Sequence, residues 1–123
     1  MKIELHLNLE HFEWEGVPKE YPLIAGGKHL VLSFGSLYLL SIINDGYGHK
    51  DGLLEIGAFN IWGEPLTMPG ITEEDQNIKG FLDISEVCGI IKKLISLSGK
   101  TPVQEKGPVW EIQERLTDLQ GKF

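Results

Sequence analysis

The run Leu37-Tyr38-Leu39-Leu40-Ser41-Ile42-Ile43 is apolar at almost every position. Successive side chains of a strand point to opposite faces. A run without polar alternation therefore reads as a central strand covered on both sides. It is too short to span a bilayer, which takes ~20 apolar residues in a helix. Gly35-Ser36 separates it from a second strand-like run over 28–34, so the pair reads as a hairpin. A chain built around such a hairpin has to cover it with further strands and with helices.

Those further elements can be read on either side. Residues 2–10 alternate, with Ile3, Leu5, Leu7 and Leu9 on one side and Glu4, His6, Asn8 and Glu10 on the other, as in a half-buried strand. Residues 11–27 carry Gly16, Pro18, Pro22, Gly26 and Gly27. They read as a loop with a short edge strand, fastened by Phe12, Trp14 and Tyr21. A glycine-rich polar loop over 44–52 leads to a strand over 53–62, and 63–80 reads as a connector holding Glu73-Glu74-Asp75. A helix follows: Asp83 or Ser85 can cap it, Glu86 suits its first turn, and Gly99 stops it. Its apolar stripe is Ile84, Val87, Ile91, Leu94 and Ile95, and Lys92 and Lys93 complement its carboxyl end. After a polar turn, Pro108 opens a second helix to about Gln120, with Val109, Ile112, Leu116 and Leu119 on one side. The expectation is one α+β domain over 1–123, an antiparallel sheet of about four strands followed by two C-terminal helices.

Charge narrows the function. The chain has 18 acidic and 11 basic residues and a formal net charge of −7. Nucleic-acid binders present a basic face that displaces counterions, and the longest basic cluster here is Lys92-Lys93. Direct nucleic-acid binding is thus not expected. Cys88 is the only cysteine, so no internal disulfide can form, and its apolar helical surroundings suit an inert thiol. No signal-peptide core and no membrane span are evident, which gives a cytoplasmic expectation.

The chemical constellations fall short of their patterns. Asn44–Glu55 gathers Asp45, His49, Asp51 and Glu55, yet Tyr47 and His49 interrupt the alternating oxygen ligands of a calcium loop. A hairpin loop with glycines at positive φ accounts for it better. His6, Glu10, His11 and Glu13 lack zinc spacing. Ser33, Ser36 and Ser41 lie in no nucleophile elbow, and Ala25-Gly26-Gly27-Lys28 lacks the spacing of a phosphate loop. No catalytic residue, metal or cofactor is expected. Trp14, Trp62 and Trp110 read as structural anchors; an exposed one would mark a binding surface.

Tyr47-Gly48-His49-Lys50-Asp51-Gly52-Leu53-Leu54-Glu55-Ile56-Gly57-Ala58-Phe59, then Gly63-Glu64, then Ile78-Lys79-Gly80-Phe81-Leu82-Asp83 form an ordered pattern. A glycine loop enters a strand, an acidic linker follows, and a turn, an aromatic residue and a leucine open an amphipathic helix. This pattern resembles a family of small proteins encoded by bacteriophages and prophages, over less than half the chain (about 41–97). The resemblance implies architecture and no catalytic residues.

Together these features give an expected function. The chain would be a phage-type binding protein without catalysis, inhibiting a bacterial defence or nucleic-acid-processing complex in the manner of an anti-CRISPR protein. It would occlude a basic surface of a host protein or nucleoprotein in the host cytoplasm. Glu10, Glu13, Glu15, Glu73, Glu74 and Asp75 would stand in for phosphates, with Trp14, Tyr47 and Trp62 as the apolar contacts. The alternative is a structural or accessory phage protein acting through homo-oligomerisation, by a strand edge or the final helix. A third reading, a small enzyme or ligand-binding domain, would use the His49–Asp51 loop.

Overall fold

The apolar hairpin forms the middle of a six-stranded antiparallel sheet in a computed structural model that describes residues 9–16 and 27–120. The elements in chain order are β1 (Glu15–Gly16), β2 (Lys28–Phe34), β3 (Tyr38–Ile43), β4 (Leu54–Phe59), β5 (Ile78–Leu82), α1 (Ile84–Ser98), β6 (Val103–Glu105) and α2 (Val109–Gln120). The class is α+β, with more strands than the expected four. β2, β3, β4 and β5 lie side by side in that order, and β2 holds β1 and β6 end to end along its other edge. The hairpin register runs from Phe34 opposite Tyr38 to His29 opposite Ile43.

The absence of polar alternation in β3 has a direct cause. Leu40 and Ile42 join Leu30, Leu32, Phe34 and Ile56 under α1, where Val87, Ile90, Ile91 and Leu94 are buried. Leu39 and Val31 face the other way, onto Ile61 and the Ile112 of α2. One helix covers each face, so strands in the middle need apolar residues in both registers. Each such side chain, fully buried, contributes ~1.5–3 kcal/mol of transfer free energy.

α1 begins on a reciprocal cap. Asp83 Oδ1 accepts from the Glu86 amide at 2.7 Å, and Glu86 Oε1 accepts from the Asp83 amide at 3.2 Å. Gly99, at φ 66°, closes the helix. Its buried stripe includes Ile90, whereas Ile84 points outward at 57% exposure. Lys93 does not serve the helix terminus as expected; its Nζ donates to Gly70 O at 2.7 Å and fastens the preceding connector. Leu119, expected on the apolar side of α2, is exposed near the helix end.

Other corrections concern short elements. Leu9–His11 is a 3-10 turn, so the described end of the expected strand 2–10 is not strand; its residues 2–8, His6 among them, lie outside the described residues, as do Pro18, Tyr21, Pro22 and Gly26. The strand expected to reach Trp62 stops at Phe59. Asn60 Oδ1 accepts from the amides of Trp62 (2.9 Å) and Glu64 (3.0 Å) and turns the chain there. β5 arises inside the expected connector, and β6 inside the expected polar turn. Both are too short or too interrupted for periodicity to mark them, and their pairing partners select them. Among the described residues, no helix is long and apolar enough to cross a membrane.

Candidate functional site

One extra residue in β5 builds the most distinctive surface of the molecule. Leu54 pairs with Leu82 and Ile56 with Lys79, so Gly80 and Phe81 together face Glu55 across the ladder. This β-bulge puts Phe81 at φ 56°, the only non-glycine residue with positive φ among the described residues. Bulges bend a strand and redirect its side chains. Here the Phe81 ring is turned outward at 61% exposure.

The 44–52 loop is strapped to that bulge. Phe81 N donates to Tyr47 O at 3.0 Å. A Cβ on Gly80 would collide with the Tyr47 Cβ, so only glycine admits this approach. Gly48 and Gly52, both left-handed, bracket the 3-10 turn His49–Asp51, in agreement with the hairpin-loop reading. Tyr47 thus stands beside Phe81 on a rigid base, itself 62% exposed.

Between the loop and β5 lies a cleft of about 600 Å³, walled by Tyr47, Ile78 and Phe81 and edged by His49, Lys50 and Asp51. Two carboxylates complete it. Glu55 Oε1 accepts from Tyr47 N at 3.3 Å. Burial raises the Glu55 carboxyl above its usual range; the Tyr47 amide opposes this, and the charge of Asp45 adds to it. Asp45 is 1% exposed, and its Oδ2 has no hydrogen-bond partner among the described residues. A Cβ on Gly27 would fall 2.7 Å from that oxygen, so glycine leaves the carboxylate its place. His49 Nδ1 donates to Gly46 O at 2.8 Å, which directs Nε2 away from the loop backbone. Among the described residues, no three His, Cys, Asp or Glu side chains are grouped to hold a metal. The cleft offers apolar ring faces and carboxylates, a combination suited to an amphipathic cation.

The sequence-derived site residues are scattered around this cleft. Tyr47 is its wall. Glu73 lines a smaller hollow of about 250 Å³ that shares Tyr47, Ile78 and Phe81 with the cleft, and Glu74 and Asp75 stand exposed in the same turn. The amino-terminal carboxylates are largely occupied within the fold. Glu13 pairs with Lys106 at 2.7 Å, which lowers its pKa, and Glu15 Oε1 accepts from Gly107 N at 3.1 Å. Glu10 is exposed on the 3-10 turn. Trp14 is half-buried against the α1 core and donates from Nε1 to Leu9 O at 3.2 Å, so it is an anchor. Trp62 is exposed at 61%, on the Asn60 turn. Phe81 and Glu55 were missed as site residues. Nothing local marks a strained bulge, and Glu55 was weighed only as a calcium ligand.

No family model, no curated protein and no solved structure matches the chain.

Proposed function

We propose that this chain is a binding protein that occludes a basic surface on a partner, with the Tyr47–Phe81 cleft and the adjoining Glu73–Glu74–Asp75 turn as its contact face. The observation that carries this reading is the pair of outward aromatic rings, 62% and 61% exposed, locked together through the backbone and flanked by carboxylates. Rigid exposed aromatics serve as interface anchors, and surrounding charge selects the partner's sign. The phage-type resemblance makes a bacterial defence or nucleic-acid-processing complex the first partner to test, as for an anti-CRISPR inhibitor. The protein would act without chemistry of its own.

Homo-oligomerisation draws less support. One edge of the sheet consists of two- and three-residue strands, and the other, β5, is broken by its bulge and partly taken up by the hydrogen bonds of Phe81 to Tyr47 and of Glu73 to Ile78. The exposed Trp110 and Leu119 of α2 lie nine residues apart, half a turn from one another at 100° per residue, and cannot share one seam.

The test is affinity capture from bacterial lysate with the wild type and with a Tyr47→Ser, Phe81→Gly double variant. The expected result is a defined partner retained by the wild type and lost by the variant. Retention of the same proteins by both would overturn the reading.

A further inference from the structure

We infer that the cleft between Tyr47, Phe81 and Glu55 is a receptor for a single arginine side chain presented by the partner. This deepens the proposed function and rests on it for the identity of the partner, though not for the chemistry of the pocket.

The geometry supplies each part of an arginine site. The volume, about 600 Å³, falls within the ~300–1,000 Å³ range of sites for small ligands. Tyr47, Phe81 and Ile78 give it apolar walls, and aromatic faces attract a guanidinium through their quadrupole. Glu55 lies in the lining with Oε1 already oriented by the Tyr47 amide, which leaves Oε2 as an acceptor for a charged donor. Asp45 also contributes to the lining. Buried and with Oδ2 unpartnered, it is a carboxylate without a cationic partner among the described residues. Buried carboxylates without partners are costly, and a bound cation would offset that cost. Asp51 adds a third carboxylate at the rim, against one lysine there, Lys50.

Arginine suits this better than lysine. Its planar fork can donate to a carboxylate while its face stacks on a ring, and it is more weakly hydrated than an ammonium. A metal ion would need a set of ligands that the described residues do not assemble. The strained Phe81 backbone fits the same reading, since glycine at that position would relax the bulge and remove one wall.

The pocket can be tested without a partner, by amide-resolved NMR titration of the full chain with three blocked amino acids at matched ionic strength. These are acetyl-arginine methylamide, its lysine analogue and its norleucine analogue, with calcium chloride as a fourth arm. The arginine compound should shift the amides of Tyr47, Gly48 and Phe81 and saturate at about millimolar concentration. Lysine should bind several-fold more weakly and norleucine not at all. Glu55→Gln should weaken the arginine response about tenfold, as expected for loss of one charge-assisted hydrogen bond, while its own spectrum stays folded. Phe81→Gly, which relaxes the backbone, should weaken it as well. Equal responses to arginine and lysine, shifts away from the cleft, or a response to calcium alone would each overturn the arginine pocket. Those failures leave the basic-partner reading to the lysate capture. Failure of the capture leaves the titration result standing.

Discussion

The amide of Phe81 donates to the carbonyl of Tyr47 at 3.0 Å, and this one bond joins the glycine loop to the bulged edge of the sheet. Around it, adjacent residues carry opposite expectations. Phe81→Gly removes an exposed ring and relieves a left-handed residue that costs ~1–2 kcal/mol, while glycine gives back ~0.5–1 kcal/mol in chain entropy. Its stability should stay within about 1 kcal/mol of wild type, on the stable side. Gly80→Ala drives a methyl into Tyr47 and should cost ~1–3 kcal/mol. Urea denaturation of the two variants tests the pair; equal losses would mean that the strap is not tight.

Glu55 gives a pH signature. Burial holds its folded-state pKa above the unfolded value of about 4.3, with Asp45 adding and the Tyr47 amide opposing. The folded protein therefore binds the proton more tightly than the unfolded chain. The stability this confers is complete below the unfolded pKa and is lost as pH rises through the folded one. His49, Lys50 and Asp51 edge the same cleft. Glu55→Gln should melt higher than wild type at pH 7, and the gap should close as pH falls below about 4. A gap independent of pH would show that the Glu55 charge is not destabilising.

The amino-terminal segment is held by three polar links to β6 and the residues just after it. Gln104 exchanges hydrogen bonds with the Glu13 backbone, Lys106 pairs with the Glu13 carboxylate, and Gly107 N donates to Glu15. The Glu13 pair is exposed and screened by solvent, so Lys106→Ala should leave the stability nearly unchanged. Glu15→Ala leaves a half-buried amide unpaired and should cost ~1–3 kcal/mol. Thermal melts of the two variants should rank in that order. Charge reversal at Glu13 and Glu15 would unseat the segment, so it cannot report on a partner.

What could be read from the sequence follows the range of the forces involved. β2 and β3 were legible as apolar runs around a short turn, α1 and α2 by their helical periodicity over twelve or more residues, and Asp83 as one of two candidate caps because Glu86 stands three residues on. β6 was hidden because three residues, Val103 to Glu105, have no period. β5 was hidden because Gly80 and Phe81 break its alternation at the bulge. The same bulge concealed the candidate site. Tyr47 was legible as an exposed aromatic in a polar loop, but its neighbours Phe81 and Glu55 are brought to it by a strand pairing set at long range.

Cys88 packs partly against the core from α1, and burial pushes its thiol up while Lys92 pulls the other way. Because the thiolate is the reactive form, alkylation at pH 7 should be slow and should accelerate only above the ordinary thiol pKa of about 8.5. Addition of denaturant should release it at once. Rapid labelling of the native protein would place the thiol in a more polar setting than the fold shows.

The Glu73–Glu74–Asp75 turn provides the cleanest test of charge in recognition. All three residues are exposed, and the turn is held by its own backbone, with Glu73 N donating to Ile78 O at 2.9 Å and Gln76 N to Glu73 O at 3.3 Å. Reversal of the three to lysine should therefore leave the melting temperature nearly unchanged. Exposed charges steer encounter and are screened over about 8 Å at physiological ionic strength, so the loss should appear in the association rate. Against the partner captured from lysate, the variant should associate about tenfold more slowly at low salt, and the difference should shrink as salt is raised. The dissociation rate should instead respond to Tyr47→Ser and Phe81→Gly, because ring burial is lost only once the complex has formed. If the triple reversal leaves association unaffected at every salt concentration, the turn is only a solvated surface and recognition rests on the aromatic cleft.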